Sequence, residues 1–107
     1  MNSNTTYLAD VLKSMAQATR LKIIEFLRDG ERCVCEIFPA IDEEQSNTSR
    51  HLAYMQTHGI LSRRKDGVKI YYAVKHPEVF EIVDRATAIV RREVEQRSEM
   101  INLAGRG

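Results

Sequence analysis

Two stretches of the chain hold side chains whose types and spacing suit chemistry. The first is Cys33-Val34-Cys35, which contains both of the sequence's cysteines. Thiolates are soft donors and select thiophilic ions such as arsenite, antimonite, cadmium, lead, zinc or copper(I). If the pair opens a helix covering about Cys33 to Phe38, its side chains diverge by roughly 200°. Both sulfurs then reach one ion only if that turn distorts or lies at a frayed end. The same residues also read as two small buried hydrophobes. The second stretch is Gln45 to Met55. Thr48, Leu52 and Met55 recur at spacings of four and three and form one inward helical stripe. The opposite face carries Asn47, Arg50 and Tyr54, with Gln45 and Ser46 close by. Amide, guanidinium and hydroxyl groups are the chemistry that reads base edges and phosphates in a major groove. Ser49 and His51 complete the candidate DNA-binding set, with His51 placed beside the DNA backbone.

Other chemistry is sparse. His51, His58 and His76 share no ligand spacing with carboxylates, so a histidine-based zinc site is not expected. The sequence has no Ser/His/Asp arrangement, no Gly-rich phosphate loop and no conspicuous carboxylate pair. The expectation is a protein that is not an enzyme.

Charge distribution says more than net charge. The 107 residues carry 16 Lys and Arg against 15 Asp and Glu. Residues 1–49 sum to −3, residues 50–75 to +5 and residues 76–107 to −1. The positive excess thus falls on and just after the polar helix, as expected of a DNA reader's electrostatic footprint. The N-terminus lacks a basic region followed by an apolar run, and no stretch approaches the roughly 20 apolar residues of a membrane span. These features suggest a cytoplasmic protein with free thiols and no membrane partner.

The elements that must position these groups follow from local signals. Residues 1–6 are polar and expected to be disordered. Leu8, Val11, Leu12, Met15 and Ala16 predict a helix over 7–17. Thr19 would cap a second helix, Arg20 to Arg28, with Leu21, Ile24 and Leu27 facing a core, and Asp29-Gly30 would end it. Pro39 would limit the third helix. Asp42, with Gln45 three residues on, resembles a capping box for the fourth. Glu43 and Glu44 suit that helix's dipole but count against tight DNA binding. His58-Gly59 stops it. Asp66-Gly67 between two β-rich runs predicts a hairpin carrying Arg63, Arg64, Lys65 and Lys69, a wing suited to a phosphate backbone. His76-Pro77 opens a last long helix whose stripe is Val79, Val83, Ala86, Val90, Val94 and Ile101. So small a domain has too little core to cover both terminal helices, which predicts a homodimer formed through residues 7–17 and 77–102. The expected fold is one mostly α domain over 1–107 with a β-hairpin wing, a winged helix-turn-helix in the order α-α-α-α-β-β-α.

Over roughly residues 8–75 the chain resembles the ArsR/SmtB family of dimeric winged-helix repressors. The resemblance rests on Ala18-Thr19-Arg20-Leu21, Cys33-Val34-Cys35-Glu36-Ile37, Ser49-Arg50-His51-Leu52, Gly59-Ile60-Leu61 and the Arg63–Tyr72 wing. It implies that Cys33 and Cys35 are metal ligands for arsenite or a soft metal ion, and that binding releases double-stranded DNA. No cofactor would be required for DNA binding itself. The chain departs from the pattern in three places. Phe38 stands where many arsenic-responsive members have a third cysteine, Met1 to Gln17 has no cysteine, and Val83 to Gln96 has no histidine. A three-sulfur site within one chain is therefore excluded, which leaves two protein sulfurs plus a small thiol or water, a site shared across the dimer, or a dithiol redox sensor. The reading is a transcriptional repressor with a thiol-bound inducer. The alternatives are a dithiol redox-sensing repressor of the same fold or, from another class, a metal-sequestering thiol protein.

Overall fold

Helices and hairpin follow in the expected order, with one strand added. The computed structural model describes residues 3–106. Its elements are α1 (Ser3–Met15), α2 (Ala18–Phe26), β1 (Arg32–Cys33), α3 (Val34–Ala40), α4 (Gln45–Thr57), β2 (Leu61–Asp66), β3 (Lys69–Val74) and α5 (Glu78–Arg106). The core gathers Met15, Ile23, Ile24, Leu27, Ile37, Ile41, Leu52, Met55, Ile60, Leu61, Tyr72 and Val79. The inward stripe expected of α4 is among its most enclosed parts, with Thr48, Leu52 and Met55 all at 0 % exposure.

Several boundaries differ from expectation for local reasons. Residues 3–6, expected to be disordered, form the first turn of α1, where Ser3 and Asn4 are residue types that suit a helix start. Residues 1 and 2 lie outside the described residues. Helix α1 stops at Met15 instead of Gln17, because Gln17 is extended and caps α2. The Gln17 side-chain oxygen accepts from the Arg20 backbone N–H at 3.0 Å. Thr19 is therefore a buried helical residue and not the cap. Ile23 joins Ile24 and Leu27 in the core, whereas Leu21 is 42 % exposed and faces a groove towards Leu12, Ile82 and Val90.

The third helix begins after the cysteine pair's first member. Cys33 ends β1 as the N-cap of α3, and Glu36 completes its capping box. Pro39 lies inside α3, which ends one residue later at Ala40. Asp42 does not cap α4. It turns the chain at φ +56°, a left-handed conformation that Asp tolerates, and Glu44 is an N-cap without a side-chain bond.

Glycines are required at two reversals near the basic segment. Gly59 follows α4 at φ +80°, as a left-handed helix stop requires. In the hairpin Asp66 pairs with Lys69, so the two-residue loop is Gly67-Val68, one residue later than the Asp66-Gly67 signal implied. Gly67 at φ +61° with no positive φ at Val68 is the mark of a type II′ turn. The sheet has three strands in the order β1-β3-β2, all antiparallel. Its third strand, β1, went unread in the sequence because two residues carry no periodicity. At the other end, Arg28 grips Asp84 through two hydrogen bonds of 2.8 and 3.2 Å and ties the turn after α2 to α5. Beyond Val83 that helix turns Ile89, Val90, Val94, Met100 and Ile101 outward. None of the described helices is long and apolar enough to cross a membrane.

Candidate nucleic-acid interface and thiol pair

Because Cys33 is extended rather than helical, its side chain folds back over the first turn of α3. Its Sγ accepts from the Cys35 backbone N–H at 3.1 Å, and the structure joins Cys33 and Cys35 as a disulfide. The expected divergence of roughly 200° applies to two helical residues and so does not arise here. Free thiols were also expected. The structure instead brings the sulfurs together without distorting a helical turn, their Cα atoms 5.1 Å apart. Cys33 is buried and Cys35 exposed. Among the described residues no third Cys, His, Asp or Glu joins them in a metal-binding group.

The pair lies on a cleft of about 460 Å3 that it shares with both candidate DNA-reading elements. Gln45, Ser49 and Ala53 of α4 line one wall, and Arg63, Lys69, Ile70 and Tyr72 of the wing line another. Cys33 is also a β-ladder partner of Tyr71 in the wing strand β3. The thiol pair is thus joined directly to the wing as well as to α3.

The remaining candidates divide by environment. Ser46, Asn47 and Arg50 border a separate shallow depression with Glu43 and Glu44. Arg50 Nη2 donates to Asn47 Oδ1 at 2.7 Å, and Asn47 Nδ2 donates to Glu43 Oε2 at 3.3 Å. The other Glu43 oxygen accepts from the Thr19 hydroxyl at 3.3 Å and lies 3.8 Å from the Lys22 ammonium. Tyr54 has the Arg20 guanidinium 3.8 Å from its ring centroid and stacks on the His58 ring at 4.1 Å. His51 is half-buried, and its Nδ1 accepts from Arg20 Nε at 3.2 Å. Burial, with Arg20 and Arg50 nearby, pushes the imidazole below its usual pKa, which suits a neutral ring in that accepting role. Arg20, which stood out in the sequence only as part of a family motif, is therefore the clamp between α2 and α4. Its Nη1 also reaches the Lys13 and Ser14 carbonyls at 3.4 Å.

In the wing, Arg63 and Lys69 make no ion pair with a described residue. Arg64 differs: it holds Glu31 with two hydrogen bonds of 2.7 and 3.0 Å and lies over the Tyr71 ring. That pairing raises the Arg64 pKa and lowers that of Glu31, hydrogen bonding being the larger cause in each. Glu31 could not be foreseen as its partner, since 33 residues separate them.

Residues 17–63 match the profile of a family described as bacterial regulatory protein, arsR family. The arsenic resistance transcriptional regulator ArsR1 of Pseudomonas putida is 38% identical over 93 residues, covering 86% of this chain and 70% of the relative. A cadmium resistance transcriptional regulatory protein CadC homolog of Staphylococcus aureus is 33% identical over 84 residues, covering 78% and 69%. The solved winged helix-turn-helix domain of Mb0332 from Mycobacterium bovis shares the fold. Its TM-score is 0.77 at 24% identity, covering 88% of this chain and 87% of that one.

Proposed function

The chain belongs to the arsR family of bacterial regulatory proteins, and from that premise we propose a homodimeric repressor whose Cys33–Cys35 pair senses a thiophilic metalloid or metal, arsenite foremost. One domain over residues 1–107 would do both jobs, in the cytoplasm where its operator lies. Gln45, Ser46, Asn47, Ser49, Arg50, His51 and Tyr54 of α4 meet bases and phosphates, and Arg63, Arg64 and Lys69 meet the flanking backbone. Exposed apolar residues on α1 and α5, including Leu8, Leu12, Val90 and Val94, supply the dimer face. Relatives named for arsenic and cadmium resistance support a soft-ion inducer.

The observation that carries this reading is the shared cleft. A ligand on Cys33 and Cys35 sits against α4 and the wing together, and acts on the β1–β3 ladder through Cys33. It releases DNA because it binds more tightly to the arrangement in which wing and α4 no longer fit one duplex. Only the reduced dithiol has two sulfurs to offer, so an added small thiol or water completes the coordination shell. The disulfide favours a second reading in which oxidation of the same pair is the signal.

The test uses reduced protein and an operator selected from a random duplex pool, with binding followed by fluorescence anisotropy. Arsenite or cadmium should release the parent, while Cys33→Ser and Cys35→Ser stay bound. If Cys33→Ser releases normally, the thiol sensor is refuted and the DNA-binding reading survives. If peroxide releases the parent and arsenite does not, the redox reading replaces the metalloid one.

A further inference from the structure

We infer that Glu43 is a positioning residue for sequence reading: it sets the direction of the Asn47 amide and, through it, the Arg50 guanidinium. This rests on the reading of α4 as the base-contacting helix. An acidic side chain before such a helix would ordinarily count only as repulsion towards phosphates. Here its two oxygens have separate uses. Oε1 is held by Thr19 and Lys22 of α2, while Oε2 accepts from the Asn47 Nδ2 group.

An Asn amide has a donating end and an accepting end. With its donors committed to Glu43, Asn47 must present its carbonyl oxygen to Arg50, and Arg50 Nη2 donates to it. Arg50 makes no other hydrogen bond to a described residue, which leaves the rest of its planar guanidinium available for a bidentate contact with a guanine edge. Without Glu43 the amide can rotate by half a turn and offer donors to a donor, and Arg50 loses its brace. The relay thus begins on α2, passes through one carboxylate and ends at the base-reading surface.

The carboxylate has two opposing effects on binding. Its charge weakens attraction to every duplex alike, because phosphate contacts carry no sequence information. Its hydrogen bond to Asn47 strengthens only the correct sequence. Removing it should therefore raise affinity for scrambled DNA while lowering the ratio of operator to scrambled affinity.

The experiment measures Glu43→Ala, Glu43→Gln, Asn47→Ala, Arg50→Ala and the Glu43→Ala/Asn47→Ala pair on operator and scrambled duplexes at one salt concentration. Glu43→Ala should lower the affinity ratio by roughly three- to tenfold, the effect of one hydrogen bond, with scrambled binding tighter than in the parent. Glu43→Gln keeps one accepting oxygen and should fall between parent and Ala. In the Asn47→Ala background, Glu43→Ala should lower the ratio no further. An unchanged ratio, or a loss that adds fully to that of Asn47→Ala, would overturn the proposal. If Glu43→Ala does not fold, the same cycle run with Glu43→Gln decides. If Arg50→Ala itself leaves discrimination intact, the base-reading role of α4 falls and this inference with it. If Arg50→Ala acts and Glu43→Ala is silent, only this inference falls.

Discussion

Two buried hydroxyls should respond in opposite directions when removed, and the contrast tests the packing under α4. Thr48 lies on the inner stripe of α4 at 0 % exposure, and its Oγ1 has no hydrogen-bond partner. Ser14, near the end of α1, is equally buried but donates to the Val11 carbonyl at 2.6 Å. A buried polar group left unpaired costs about 1–3 kcal/mol. Thr48→Val exchanges that hydroxyl for a methyl of similar size, with nearly equal helix propensity. It should therefore stabilise the fold by roughly 1–2 kcal/mol. For a domain of this size that raises Tm by roughly 4–8 °C per kcal/mol. Ser14→Ala loses a made bond worth about 1 kcal/mol, offset in part by alanine's higher propensity, for a net loss of roughly 0.5–1 kcal/mol. Guanidinium unfolding at one fixed protein concentration compares the two, since subunit association shifts apparent stability by mass action. Operator affinity of Thr48→Val should match the parent, because its side chain does not reach the surface. A loss of about 1 kcal/mol on Thr48→Val would mean the hydroxyl is satisfied after all, and would refute the reasoning.

His51 gives a pH dependence of defined sign. Its folded pKa lies below the usual 6.5, so the unfolded chain binds more protons and stability should fall as pH drops below that value. Protonation also turns Nδ1 from acceptor to donor facing Arg20; His51→Gln should flatten this part of the slope in urea unfolding, and an unchanged slope would rule it out. Cys33 caps α3, so Cys33→Ala should lose roughly 1 kcal/mol that Cys33→Ser retains, while neither responds to inducer. Equal thermal stability of the two would remove the cap from the account. Glu31→Gln should remove a carboxylate that competes with the phosphate for Arg64, and so strengthen that contact and steepen the salt dependence of binding by up to about one phosphate contact. An unchanged salt slope would place Arg64 away from DNA. On the proposed dimer face, Val90→Glu puts a charge on a residue 59 % exposed in the single chain. It should yield monomers in sedimentation and weaken operator binding, and a persisting dimer would locate the interface elsewhere.

Periodicity and stop signals made much of the architecture legible without a structure. The stripe Thr48, Leu52, Met55 demands a helix with one buried face, and Gly59 and Gly67 mark reversals that few other residues can make. The charge excess over residues 50–75 pointed to Arg50 on that helix and to Arg63, Arg64, Lys65 and Lys69 on the hairpin. These are local properties, set by side-chain size, chirality and φ preference within a few residues. Caps were less legible, because Thr19 and Asp42 are good cap types whose places were taken by Gln17 and Glu44. Which of several neighbouring cap types serves depends on how the adjoining helix docks.

Tertiary structure alone decided what joins residues far apart in sequence. No local rule pairs Cys33 with Tyr71, and without that pairing the two cysteines read as helical residues on diverging bearings. Once β1 adds to the hairpin, Cys33 is extended, the sulfurs meet, and the thiol pair lies in one cleft with Gln45, Ser49, Arg63 and Lys69. The roles of Arg20, Glu31 and Glu43 likewise depend on partners 21 to 34 positions away. Such contacts are specified by how apolar stripes pack, and packing acts on distance in space and not along the chain. The sequence by itself determined the helices, the turns and the basic segment; only their packing decided which polar side chains would face each other.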